Sequence, residues 1–431
     1  MAVKIIKFDR GITHIYLAAI AIVCVALTWY FIKWNFANVI AAGLDIEQPE
    51  LIPVADLLTK AAPDDPATHL AAARLYERTF DISDLSRSLT EYETAASLAP
   101  SNYNLWLELA KAYDRSGESS KAEEAFRHAL ELAPNYSVVQ WAYGNSLIRH
   151  GRSDEGFALA AKAAASDPEY AGPIVSTALQ IFDGDVAATR RALGETPETN
   201  AALAGVLAAE GSYDDAASAW SQLAADDKRA KFKTVGDKLV EQFVGAKKYR
   251  LASQVSADLV PEGGEKPVVE KVSNGGFETT IKMRGAGIFE WQIGEGPAPQ
   301  IGLSEGEKHG GKYSLLMAFN TSDPAAFRAV SQTVAVVPGA TYELEIFYRS
   351  DLKTAMGFKW EVADLTPASP ALLASTPAIT AASDWTSLKA KFTVPATSDG
   401  VMIRLTREGC AGGSCPANGK ISFDDISIKR L

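Results

Sequence analysis

The chain holds 431 residues, too many for one ordinary domain and enough for two or three. An apolar share of 47% and a charged share of 22% are those of a folded protein and exclude wholesale disorder. The net charge of −11, with lysines and arginines interleaved among acids, excludes a nucleic-acid binder, which needs a clustered basic surface.

The first predicted element is a membrane span. Ile15 to Ile32, "IYLAAIAIVCVALTWYFI", runs without a charge. At about 1.5 Å per residue it covers roughly 27 Å, close to a bilayer core of about 30 Å. Trp29, Tyr30 and Trp34 mark one interface. Lys4, Lys7 and Arg10 precede the run and Lys33 follows it, which puts the amino terminus on the cytoplasmic side. A cleaved signal peptide, the rival reading, has a shorter apolar core that ends in small residues, whereas this run ends in bulky aromatics. The expectation is a cytoplasmic tail at 1–14 and an anchor at 15–34 in the inner (cytoplasmic) membrane, with the bulk of the chain periplasmic or extracellular.

Pro66, Pro100, Pro134 and Pro168 then recur every 34 residues. Such a period signals a repeat architecture. In the unit from Tyr103 to Tyr136, Trp106, Leu109, Ala110 and Tyr113 share one helical face. Gly117 ends that helix, Ala122, Phe126 and Ala129 line the next, and Pro134 closes the unit. This pattern resembles the tetratricopeptide repeat.

The preceding unit keeps Leu75, Tyr92, Ala95 and Pro100. The following one keeps Tyr143, Gly144, Gly151, Ala163 and Pro168, with Gly156 where an alanine is usual. A shortened unit runs from Ile174 to Leu193, the pattern returns with Ala204, Gly211, Ala216 and Trp220, and a last pair lies around Leu239 to Leu259. The resemblance implies an all-α solenoid over 50–262 that receives a protein partner in its groove and carries no chemistry. Tyr76, Tyr113, Asn145 and Arg149 are candidates to face that groove, or equally to pack between helices.

A polar link follows at 263–267, and helical periodicity stops. From 268 to 431 the chain alternates and is punctuated by turns. Tyr342, Leu344, Ile346 and Tyr348 fall on one side of "TYELEIFY", and "SLKAKFTV", "VMIRLTRE" and "KISFDDISI" repeat the pattern. Half-buried strands at this spacing predict an all-β antiparallel sandwich. The ordered landmarks "NGGFE", "HGGKYSLLM", "VSQTVAVVPGATYELEIFYRS", "DWTSLKAKFTVP" and "FDDISI" resemble the jelly-roll carbohydrate-binding modules of the galactose-binding-like superfamily.

That resemblance implies a structural calcium ion held by Glu278 and Asp424, with Asp425 as the competing ligand and carbonyls of Lys308 to Lys312 completing the shell. It also implies saccharide binding. The side opposite the core-facing residues carries Glu345, Phe347, Arg349, Lys359, Glu361, Arg404 and Thr406, and its charge mixture suits an acidic or decorated polysaccharide. Glu345, Phe347, Arg349, Glu361 and Arg404 are the candidate glycan contacts. Trp291, Trp360 and Trp385 are expected in the core or at edges. Cys410 and Cys415, in "CAGGSC", are expected to form a small disulfide in an oxidising compartment.

No catalytic activity is expected. Asp424 and Asp425, adjacent on a strand, would point to opposite faces and suit no glycosidase geometry. The five histidines show no metal-binding spacing, and no P-loop occurs. The whole reads as a non-catalytic, membrane-anchored scaffold for bacterial-type envelope or exopolysaccharide assembly or export. The alternative is a protein-only envelope scaffold whose sandwich is itself a protein contact.

Overall fold

The computed structural model describes residues 11–79, 81–323, 327–409 and 415–431, in two compact units, Met1–Gly194 and Glu195–Leu431. Unit 1 is helical. Its first helix, α1 (Gly11–Ala42), is uninterrupted and is long and apolar enough to cross a membrane. Ile15, Val25 and Phe31 are each more than half exposed.

The end of α1 has a different character. Ala37 and Ala41 are buried against Leu58 of α2 (Ile52–Ala61), Ala62, and Ala71 of α3 (Pro66–Arg78). The Asn38 amide donates to both carboxylate oxygens of Asp65 at 3.1 Å. Asp65 also caps α3, accepting from the backbone N–H groups of Ala67 and Thr68, so one buried acid holds two helices.

The repeats follow as helical hairpins. α3 pairs with α4 (Ile82–Leu98), α5 (Tyr103–Ser116) with α6 (Ser119–Leu132), and α7 (Ser137–Arg149) with α8 (Ser153–Ser166). Ala110, Ala122 and Ala129 are fully buried where α5 meets α6, because only small side chains let two helix backbones approach there. Gly117 takes φ 82° and ends α5 in the left-handed conformation. The shortened unit forms α9 (Ala171–Ile181) and α10 (Val186–Leu193).

Arg149 lies on Asp114, one repeat back, and Arg115 on Glu77 in the same way. Of the groove candidates, Tyr76 is buried beside Asp56 and Arg87, and the buried Tyr113 hydroxyl donates to Glu93 at 2.6 Å. Both pack between helices.

Unit 2 opens with α11 (Pro197–Ala209), α12 (Tyr213–Ser221), α13 (Ala225–Arg229), α14 (Lys233–Gly245) and α15 (Tyr249–Leu259). Trp220 is buried in α12, and its Nε1–H donates to Asp258 on α15 at 3.0 Å.

The β-sandwich has two antiparallel sheets. The first contains β1 (Gln292–Ile293), β4 (Val330–Ala335), β10 (Gly400–Arg407), β7 (Phe358–Asp364) and β8 (Ala371–Ser375), in that order. The second is ordered β2 (Gln300–Ser304), β3 (Ser314–Thr321), β11 (Ala417–Arg430), β5 (Thr341–Ser350) and β9 (Ser383–Thr393), with β6 (Lys353–Thr354) also on β11. Inward residues such as Leu344, Ile346, Val362, Ile403 and Phe423 are fully buried between the sheets. Trp291 and Trp360 lie in this core, as expected.

Two local features position the site. The stretch 272–279 makes a turn with positive φ at Asn274 and Phe277, closed by the Asn274 side chain, which bonds both the N–H and the C=O of Thr279. Gly275 accepts from Ile426 N–H at 2.9 Å, and a Cβ on Gly275 would collide with the Ile426 carbonyl oxygen. The turn thus sits on β11.

There β11 carries a register shift between Asp424 and Ser427, with Asp425 at φ 46°. Asp424 and Asp425 do not take the opposite orientations expected of neighbours on a regular strand. The bulge breaks alternation, and both carboxylates reach His309, one through the backbone and one through the ring.

Candidate functional site

The five candidate glycan contacts do not share one face. β5 places Glu345, Phe347 and Arg349 on the outside of the second sheet, whereas β7 and β10 place Glu361 and Arg404 on the outside of the first. Alternation separates inward from outward residues, but carries no information on which sheet a strand joins.

The outside of the first sheet carries a continuous polar row. Register places Gln292 opposite Ser331, Ser331 opposite Arg404, Arg404 opposite Glu361, and Glu361 opposite Ser375. One line of side chains thus crosses five strands, a span of roughly 19 Å at about 4.8 Å per strand.

Arg404 donates to Glu361 Oε2 through Nε at 3.1 Å and Nη2 at 2.9 Å, while Lys359 Nζ approaches Oε1 at 3.4 Å. Burial alone would raise the Glu361 carboxyl pKa. The hydrogen bonds and charges of Arg404 and Lys359 outweigh it and hold the value below that of an ordinary glutamate. Thr333, Met402 and Ala363 form the neighbouring row.

The second sheet presents a different group. His309 stacks on Phe347 with ring centroids 3.9 Å apart and planes 15° from parallel, and Trp385 lies 5.6 Å from His309. One face of the Phe347 ring is therefore covered. Arg349 lies 3.8 Å from Asp384, and Glu345 3.2 Å from Lys389. The sequence does not mark His309 as a partner of Phe347 or of Trp385, because those contacts depend on how the segment before β3 folds across the sheet.

That segment is held by carboxylates. Glu278 accepts from the N–H groups of Lys312 and Tyr313 at 2.8 and 3.2 Å. Asp424 accepts from His309 and Gly310 N–H at 2.8 and 3.1 Å, and Asp425 bonds His309 Nδ1 at 2.7 Å. A Cβ on Gly311, at φ 52°, would run into the Glu278 carboxylate.

Glu278 and Asp424, the two candidate metal ligands, thus converge on residues 309–313. Asp424 is fully buried, and burial is the largest effect raising its pKa above the ordinary aspartate value, against three backbone N–H groups that lower it. A buried carboxylate beside a second one suits a cation in charge. Among the described residues, however, no group of three or more His, Cys, Asp or Glu side chains is arranged to hold a metal ion. Cys415 is buried and disulfide-bonded; its expected partner, Cys410, lies outside the described residues.

Comparison with known proteins agrees with this architecture. Residues 63–218 match a family model described as tetratricopeptide repeat, and residues 269–409 one described as carbohydrate binding domain. No curated protein matches the sequence significantly. Among solved structures, a CBM4 structure is similar at 14% identity, with TM-score 0.28, over 37% of this chain and 99% of its own. TmCBM61 in complex with β-1,4-galactotriose is similar at 17% identity and TM-score 0.28, over 37% of this chain and 96% of its own. MamA is similar at 18% identity and TM-score 0.27, over 46% of this chain and 90% of its own. The helical part thus matches the tetratricopeptide repeat over residues 63–218, the carboxy-terminal β-sandwich matches a carbohydrate binding domain over 269–409, and one apolar helix lies near the amino terminus.

Proposed function

We propose that this protein is a non-catalytic scaffold of a bacterial-type envelope, anchored in the inner membrane by α1 with its amino terminus in the cytoplasm. Its repeats bind a protein partner and its sandwich binds saccharide, in the assembly or export of a surface polysaccharide. The observation that carries the reading is the polar row from Gln292 to Ser375, on a domain that matches a carbohydrate-binding family. Serine, glutamine, arginine and glutamate groups in line supply donors and acceptors for sugar hydroxyls.

A structural calcium at Glu278 and Asp424 belongs to the same proposal. The ion would supply positive charge to carboxylates withdrawn from water. Glu278 and Asp424 already fix residues 309–313 through backbone N–H groups, so the ion would add to an existing clasp.

The test is affinity electrophoresis of the full chain in detergent against neutral and acidic polysaccharides, with reporter fusions on both sides of α1 to fix topology. Retardation by a polymer, with the carboxy-terminal reporter outside the cytoplasm, is the expected result. The second reading is a protein-only scaffold. It is favoured by the absence of an aromatic side chain from the row, and failure of every polymer to retard the chain would select it.

A further inference from the structure

Within the row Arg404 balances Glu361, and Lys359 from the adjoining row adds a positive charge. Lys359 and Arg404 flank one carboxylate, and their side chains are 29% and 35% exposed against 11% for Glu361. A ligand laid on the row therefore meets positive charge first, although the chain as a whole carries −11. The shielded Glu361 stays ionised at neutral pH, because both neighbours favour its charged form. Both Arg404 bonds end on the same Glu361 oxygen. That pairing uses two of the five N–H groups of a guanidinium, whose planar fork matches carboxylates.

The second consideration is the missing platform. Neutral sugars are commonly held by an aromatic face together with hydrogen bonds. Here the flanking row offers Thr333, Met402, Ala363 and Leu372, which are aliphatic or small. Recognition on this surface has to come from charge and hydrogen bonding.

We infer that the row takes an acidic saccharide, a polymer carrying carboxylates such as uronic acid units. Arg404 and Lys359 receive a sugar carboxylate, while Gln292, Ser331 and Ser375 pair with hydroxyls along the chain. This inference rests on the proposed saccharide-binding function of the sandwich and specifies its ligand class.

The experiment is calorimetry of the full chain in detergent with polygalacturonate, alginate and a neutral galactan, each at low and high salt. Binding to at least one polyuronate, weakening as salt rises, is expected. Arg404→Gln and Lys359→Gln should each lower that affinity about tenfold, the size of a lost charge-assisted hydrogen bond. Lys389→Gln, on the other sheet, should leave it unchanged. Should Arg404→Gln disturb folding, Glu361→Gln/Arg404→Gln keeps an uncharged pair and should lose binding equally. Binding to galactan alone, or binding indifferent to salt and to both variants, overturns the acidic ligand and leaves saccharide binding standing. Failure of all three polymers overturns both.

Discussion

Gly144 and Gly156 face each other where α7 crosses α8: a Cβ on Gly144 would lie 2.8 Å from the Gly156 carbonyl oxygen, and one on Gly156 2.7 Å from that of Gly144. Gly156 stands where the repeat usually has alanine, so the substitution Gly156→Ala restores the common residue. It should nevertheless destabilise. Alanine gains about 1 kcal/mol of helix propensity over glycine, but overpacking against backbone costs about 1–3 kcal/mol. Amide exchange in α7 and α8 should speed up. Gly205→Ala in α11, where a Cβ would meet nothing within 4 Å, should instead slow exchange locally.

Asp399 in the sandwich caps a helix that precedes it by 150 residues, accepting from Tyr249 N–H at 2.9 Å and from Arg250 N–H at 3.3 Å. Lys248, the local N-cap, makes no side-chain capping bond. Tyr249 is buried over Gly400, where a Cβ would collide with its ring. Asp399→Ala should cost about 1 kcal/mol, read as faster amide exchange at the start of α15. Gly400→Val should release α15 altogether and leave the sandwich strands protected.

Calcium should raise the melting temperature of the sandwich, and chelation should lower it. Glu278→Ala and Asp424→Ala should abolish that response in calorimetry of the full chain. A melting temperature identical with calcium and with chelator would mean that the N–H clasp on residues 309–313 suffices alone.

His69 gives unit 1 a pH dependence. Its Nε2 faces the Pro63 carbonyl at 2.9 Å and its Nδ1 the Glu91 carboxylate, so both ring nitrogens meet acceptors. Burial lowers its pKa, but the hydrogen bonds and Glu91 together raise it above the ordinary histidine value of 6.5. The folded state therefore holds the protonated ring more tightly. This stabilisation is complete below about pH 6.5 and is lost as pH rises through the higher folded-state value. Amide exchange in α3 and α4 should quicken over that window, and His69→Gln should flatten the profile.

Much of the architecture was legible because its signals are local. Pro100 and Pro134 frame a unit in which Ala110, Ala122 and Phe126 are buried as the repeat pattern requires. Strand alternation likewise put Leu344 and Ile403 inward. The candidate site was less legible, for two physical reasons. Glu345 and Glu361 both alternate outward, yet sheet membership depends on strand order, which a period of two does not encode. Asp424 and Asp425 break that period, and only the left-handed backbone at Asp425 shows where they lead. His309 was invisible as a partner of Phe347 because nothing local joins them.

α1 has no joint between its apolar stretch and the part that belongs to the repeats. Trp34, Ala37 and Ala41 pack on the first hairpin, and Asn38 is bonded to the cap of α3. Spanning a bilayer as proposed, such a helix would act as a handle. A tilt of its apolar stretch would carry the packed end with it, and an apolar segment of fixed length meets bilayers of different thickness partly by tilting. Lipid composition would then aim the hairpins of unit 1, turning membrane thickness into a determinant of which partners they can reach.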